Sequence, residues 1–395
     1  MLARNRSKVL LGLLTCVLLI SMVGCAAPTA APAAATGAAP AEPTANTEPI
    51  VIAVAAPMTG DAADYGLQET RGMQIAIDEI NAKGGVNGRM LSFITFDDKC
   101  DPVEAANVAH KIVSDPSVFV VLGHICSSTT MAAAPIYGAA GLTELTVNST
   151  NPMVTEKGWT HLFRSTPHDL SQGISIVDYV TQKMGKTRFG IISATDDYGV
   201  GLRTAAEGQI AKLGATLVAS ETFISAQDKD FSAQLTKIDQ AKPDVLLVFG
   251  HYADDGLILR QRMATGLATV TTVLPSAAYQ QDMIDLAGEG AEGVYIAVFY
   301  SNAKQTPENL AFREKVAKYY NGDAPGEQTP WGYDGVYILA QAIGMGCTKE
   351  NLSECMRKVD YTGLTGHIVF DEKGQVLPML GDFEIIKDGK FTVIQ

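Results

Sequence analysis

From Ile50 onward, short apolar runs rich in β-branched residues alternate with stretches of helical periodicity, and the alternation runs through twice. Ile50 to Ala55 predicts a buried strand. Met73, Ile77 and Ile80 recur at helical spacing until Gly84-Gly85 ends that helix. Strands at 90–96, 118–122 and 142–147 and helices at 103–113 and 129–137 follow. After Arg164 the pattern restarts, with helices at 170–184, 198–213, 231–240 and 256–265 and strands at 188–192, 215–222, 245–250 and 271–274. Apolar strands separated by helices form a parallel sheet covered on both faces. Two such units in succession predict an α/β chain of two doubly wound lobes, with a cleft between them. Ligands of such sheets bind beyond the carboxyl ends of the strands. The tail reads as helix over 307–345, then as short strands over 366–394 with a turn at Lys387-Asp388-Gly389-Lys390.

The first 49 residues belong to a different class. Arg4, Arg6 and Lys8 precede an apolar run from Val9 to Ile20, and Met22-Val23-Gly24-Cys25 follows. The run is short for a membrane span and has the form of a signal-peptide h-region. A small residue before Cys25 resembles a bacterial lipobox, with Met22 where leucine is more usual; an ordinary cleaved signal is the alternative. The lipobox implies a signal peptide over 1–24 and lipidation of Cys25, leaving the chain anchored to the outer face of the membrane. Residues 25–49 are almost entirely Ala, Pro and Thr, too poor in apolar surface to fold, and are expected to act as a tether.

The chain carries a formal charge of −13, and loss of the three signal-peptide cations takes it to about −16. Such a surface disfavours nucleic acid and anionic lipid as partners. Beyond Cys16 and Cys25, four cysteines remain in an oxidising compartment: Cys100, Cys126, Cys347 and Cys355. Four cysteines allow three pairings. Proximity in sequence favours Cys100–Cys126 and Cys347–Cys355. A metal site would want the tight Cys-x-x-Cys spacing that is missing here, so neither a metal nor a cofactor is expected.

Catalytic motifs are not evident: the chain contains no Gly-x-Ser-x-Gly elbow, no Walker loop and no His-Glu-x-x-His. His124 and Cys126 adjoin, but a disulfide is the better use of Cys126. The polar clusters at strand ends carry more information. Ser127-Ser128-Thr129-Thr130 opens a helix after strand 118–122, and Asn148-Ser149-Thr150-Asn151 follows strand 142–147. Each alone reads as a helix cap; together, at one edge of one sheet, they suit a small carboxylate. In the second unit, Tyr198, Tyr252 and Tyr279 follow strands and either line the cleft or pack in loops.

Several of these segments resemble the branched-chain amino-acid-binding proteins of ABC importers. They are Pro57-Met58-Thr59-Gly60 through Asp64-Tyr65-Gly66, Ile80 to Arg89, Asp97 to Pro102, Gly123 to Ser128, and Gly363-Leu364-Thr365-Gly366 with Phe370-Asp371. The likeness spans 50–395 in order. It implies a type I periplasmic-binding-protein-like fold whose lobes, 50–166 plus 300–377 and 167–299 plus 378–395, are joined by a three-segment hinge near 165–168, 298–302 and 376–380. It also supports Cys100–Cys126. Carried over by position, Tyr65, Ser127, Asn148 and Thr150 become first-lobe ligand contacts, with Ser149 beside them, and Tyr198 and Tyr252 become second-lobe contacts. The acidic residue that holds the ligand ammonium in leucine-binding members falls on Ser276. Asp254 is the expected substitute, unless the ligand lacks an ammonium group. The resemblance implies a monomer that captures a small amino acid or carboxylate, without turnover, for a membrane permease. A sensor module of the same fold ranks second because no membrane-spanning helix follows Gln395, and a hydrolase ranks third.

Overall fold

The computed structural model describes residues 47–377 and 381–394; the signal-peptide, Cys25 and tether readings lie outside the described residues, apart from 47–49. Five parallel strands form the first sheet in the order β2-β1-β3-β4-β5: β1 (Ile50–Ala56), β2 (Leu91–Asp97), β3 (Val118–Gly123), β4 (Glu144–Thr146) and β5 (Leu162–Arg164). The central strand β3 is buried along its whole length, as its unbroken apolar sequence requires. The expected strand 142–147 narrows to three residues, and β5 was not anticipated.

The second sheet runs β14-β13-β10-β9-β8-β6-β7. Its members are β6 (Arg188–Ala194), β7 (Thr216–Phe223), β8 (Val245–Phe249), β9 (Thr271–Leu274), β10 (Tyr295–Val298), β13 (Asp382–Lys387) and β14 (Lys390–Val393). Strands β6 to β10 are parallel, and the hairpin β13–β14 extends the edge antiparallel to β10. A separate hairpin, β11 (Asp360–Gly363) with β12 (Gly366–Val369), stands apart from both sheets. The chain passes between the sheets after Arg164 and after Val298, and again between β12 and β13, the last passage including residues outside the described set.

The long helical reading of 307–345 is corrected. Two helices, Pro307–Tyr319 and Gln328–Gly344, are separated by a bend in which Asn321 and Gly322 take positive φ. Thr306 caps the first helix through the Asn309 amide, with Pro307 at the position where a missing N–H costs nothing. The second helix returns to the first sheet and packs along Ala63–Ala82. Glycines let the two backbones touch: a Cβ on Gly72 would sit 1.8 Å from the Thr329 carbonyl oxygen, and one on Gly332 would sit 2.1 Å from that of Glu69. This crossing fixes where the start of Gln328–Gly344 stands over the strand ends.

Candidate functional site

The carboxyl ends of the two sheets face each other across a cavity. Tyr65, Ile125, Cys126, Ser127, Asn148, Thr150 and Thr166 line it from the first half of the chain. Tyr198, His251, Ser276, Ala277 and Phe299 line it from the second sheet, and Glu327, Gln328 and Trp331 from the returning helix.

Ser127 opens the helix Ser127–Ala139, whose N-cap, Cys126, provides no side-chain cap. The first amides of that helix therefore point at the cavity without a side-chain acceptor, a setting that favours an anion. Cys126 is bonded to Cys100, which ties the loop after β2 to the start of this helix, while Cys347–Cys355 closes a short loop beyond the far end of Gln328–Gly344. The Cys126 sulfur is thus unavailable as a nucleophile. His124 is buried between Asp98, 2.6 Å from Nδ1, and the Tyr137 hydroxyl, 3.0 Å from Nε2. It serves the packing beneath the loop.

Beside it, the Asn148–Asn151 loop is shaped from below by Arg164. The buried guanidinium donates to the Ser149 and Asn151 carbonyls at 3.1 and 2.5 Å, and to Gln375 Oε1 at 2.6 Å. Burial lowers its pKa only to about 10, which leaves it cationic. The Asn148 amide donates to buried Glu69 at 2.6 Å. Ser127 Oγ accepts from the Asn151 amide at 3.1 Å, which leaves its proton free for a ligand. Thr150 Oγ1 lies beside the Asp169 carboxyl without a well-formed hydrogen bond to any protein atom, and the Tyr198 hydroxyl is likewise buried and unpartnered. Unpaired buried hydroxyls are uncommon, and two in one cavity mark where a polar ligand belongs.

Three residues expected in the site fall outside the lining. Ser149 Oγ hydrogen-bonds the carbonyls of His124 and Ile125, both at 3.0 Å, and so stitches the two first-sheet loops together. Tyr252 lies behind Tyr65, ring against ring at 5.0 Å, because the helix starts at Tyr252, four residues before the expected boundary, and turns His251 inward instead. Asp254 accepts from Ser225 Oγ at 2.5 Å and from the Ala226 amide at 3.3 Å, and lines a separate groove. Ser276 does line the cavity, with no charge to offer.

Sequence reasoning missed His251, Glu327 and Trp331. His251 Nε2 meets Asp196 at 2.7 Å, and its ring stacks on Tyr198 at 5.3 Å. Burial alone would push its pKa down, but Asp196 overrides this and raises it. Glu327 and Trp331 sit where a continuous helix was expected; the only local signs were Pro325-Gly326 and a tryptophan in a chain with two.

Direct hydrogen bonds close the cavity. The Tyr65 hydroxyl donates to the Ala277 carbonyl at 2.8 Å and accepts from the Tyr252 amide at 3.1 Å. Gln68 donates to Gln280 at 2.6 Å, Gln280 in turn donates to Gln328, and Asn151 donates to the Asp197 carbonyl at 2.5 Å.

The surroundings are rich in buried acids. Burial pushes Glu69 up to about 8 and Asp169 up to about 7, and drives Glu144, Asp255 and Glu327 well above the carboxylate range. A carboxyl with a raised native pKa keeps its proton where the unfolded chain has lost it, so stability falls as pH rises from the unfolded values near 4 toward 8. His251, raised in the fold, adds to the same trend above pH 6.5, while His161 and His168, lowered by burial, oppose it. Ligand-free protein should therefore unfold at a lower temperature at pH 8 than at pH 5, each carboxyl contributing up to ~1.4 kcal/mol per pH unit. A melting temperature that is flat or rises over that interval would show these groups ionised in the fold.

Among the described residues no helix is long and apolar enough to cross a membrane, and no group of three His, Cys, Asp or Glu side chains is placed to hold a metal.

The periplasmic binding protein family matches residues 49–380. A leucine-, isoleucine-, valine-, threonine- and alanine-binding protein of Pseudomonas aeruginosa is 32% identical over 329 residues, 83% of this chain and 87% of the relative. A Leu/Ile/Val-binding protein of Escherichia coli is 31% identical, with coverage of 83% and 88%. In three dimensions, a leucine-binding protein of Thermotoga maritima superposes with a TM-score of 0.80 at 28% identity, covering 88% of this chain and 98% of the other. A branched-chain amino acid transporter substrate-binding protein of Streptococcus pneumoniae, solved with isoleucine, gives a TM-score of 0.81 at 27% identity, covering 88% and 99%. With two facing sheets, a cavity between their strand ends and these relatives along nearly all of its folded length, the chain belongs to the periplasmic binding protein family and has its type I fold.

Proposed function

We propose that this protein is the extracytoplasmic solute-binding component of an ABC importer, and that it captures a small amino acid, branched-chain or other neutral, or a related carboxylate. The observation that carries this reading is the cavity, where the uncapped start of helix Ser127–Ala139 and the hydroxyls of Thr150 and Tyr198, neither in a well-formed hydrogen bond to the protein, converge beside apolar Ile125, Phe299 and Trp331. Ser127, Thr150 and the helix amides receive the carboxylate, and the aromatic and aliphatic walls take a side chain. The lobes are 50–166 with 300–377 and 167–299 with 378–395. The ligand docks on the first; the second then closes through the Tyr65 and Gln280 bridges. Closure excludes water and strengthens the charge-assisted hydrogen bonds. The ligand shifts an open–closed equilibrium by binding the closed form preferentially, and the closed monomer is presented to a membrane permease without chemical turnover. Mass spectrometry of what the purified protein releases on mild denaturation, followed by calorimetry with that compound, tests this. Failure to bind any amino acid or small carboxylate, or conversion of one, would refute it.

Anchoring through Cys25 is the second part of the reading, supported by the lipobox-like Met22-Val23-Gly24-Cys25 and the uncharged tether that follows. Cys25→Ala should move the protein from the membrane fraction to the soluble one, since the tether provides no other apolar attachment. Continued pelleting with membranes would contradict the anchor.

A further inference from the structure

Glu327 is the one carboxyl among the residues that line the cavity. Its side chain is 3% exposed, and the lining around it contains no lysine or arginine. The Phe299 backbone reaches its carboxyl, but among the described residues no cation pairs with it. An enclosed carboxyl without a counter-charge is costly, and a ligand cation placed beside it would remove that cost. Two further observations indicate that a ligand occupies this space. Thr150 Oγ1 and the Tyr198 hydroxyl, both more than nine-tenths buried, line the same cavity without a well-formed hydrogen bond to the protein. Two nearby acids are engaged elsewhere: Asp254 is held by Ser225 and Ala226 in another groove, and Glu69 is hydrogen-bonded to Asn148.

We infer that Glu327 is the counter-ion for a ligand ammonium group, so that the bound molecule is a small zwitterion with its carboxylate at Ser127 and Thr150 and its cationic nitrogen at Glu327. This rests on the reading of the cavity as a carboxylate-ligand site. It moves the cation anchor from the second sheet, where Ser276 stands, to the helix that packs on Ala63–Ala82. Both charged ends of the ligand are then held from the first lobe, and the second lobe supplies closure and walls.

The test compares glycine, L-alanine, L-threonine and L-leucine with acetate, propanoate and 4-methylpentanoate by titration calorimetry, on the wild-type chain and on Glu327→Gln. The wild type should bind its preferred amino acid at least about a hundredfold tighter than the matching des-amino acid. Glu327→Gln, which keeps the shape and removes the charge, should cost the amino acid at least about thirtyfold and shrink the gap below tenfold. The wild-type comparison stands even if the variant folds poorly. Equal wild-type affinity for an amino acid and its des-amino partner would overturn the inference while leaving the carboxylate site intact. So would a gap that survives Glu327→Gln, or an Asp254→Asn loss equal to that of Glu327→Gln. Binding of no compound in the panel would overturn both the inference and the proposed function.

Discussion

Replacing Ser127 and Thr150 together by alanine is expected to weaken ligand binding at least about a hundredfold. Ser127 Oγ accepts from the Asn151 amide at 3.1 Å and keeps its own proton for the ligand, and Thr150 Oγ1 has only the Asp169 carboxyl beside it, without a well-formed hydrogen bond. Each hydrogen bond to a charged group contributes about 1.5–3 kcal/mol. Two of them exceed the ~2.8 kcal/mol that separates affinities a hundredfold apart, at ~1.4 kcal/mol per decade. The single changes should differ in their effect on folding. Thr150→Ala loses only a poorly formed contact with the Asp169 carboxyl and should lower the melting temperature less than Ser127→Ala does. Ser127→Ala deprives the buried Asn151 amide of its acceptor and should cost about 1–3 kcal/mol of stability. Calorimetry with L-leucine, L-alanine and their des-amino acids, alongside thermal unfolding, separates the two effects. A double variant that binds within tenfold of the wild type would remove the carboxylate from this end of the cavity.

Gly332→Ala is expected to be strongly destabilising, although it adds only a methyl group near the site. The new Cβ would lie 2.1 Å from the Glu69 carbonyl oxygen, a backbone atom that cannot swing aside. Helices Ala63–Ala82 and Gln328–Gly344 would have to separate. Overpacking typically costs 1–3 kcal/mol, and a backbone clash belongs at or above the upper end, about 3 kcal/mol. Separation also shifts Glu327, Gln328 and Trp331 away from Tyr65, so affinity should fall with stability. Gly208→Ala is the matched control: it lies inside helix Asp197–Lys212 with nothing within 4 Å of the added carbon. There the gain in helix propensity should stabilise the fold by about 0.5–1 kcal/mol. Urea unfolding of both variants checks the pair. A cost below about 1 kcal/mol at Gly332 would mean that the helix crossing is looser than its glycines imply.

The two lobes and the first-sheet half of the cavity were legible in the sequence because both rest on local signals. Apolar strand cores such as β1 and β3 announce themselves by composition, and the connectivity of a parallel sheet then forces their carboxyl ends to one edge. Ser127 and Thr150 therefore had to be neighbours, although 23 residues separate them. Cys100 and Cys126, bonded in the structure, were paired from their proximity in sequence and from the family resemblance. What the sequence could not determine is which side chains arrive from the other sheet and from the returning helix. A shift of four residues in one helix start replaced Tyr252 with His251, since a helix turns each successive side chain by about 100°. The break at Asn321-Gly322 and the glycine contacts at Gly72 and Gly332 brought Glu327 to the cavity from 200 residues downstream of Ser127. Asp254, the nearest acid by sequence, went to Ser225 instead. Those placements are set by packing between segments distant in the chain, and no local pattern encodes the distance or the angle at which two such segments meet.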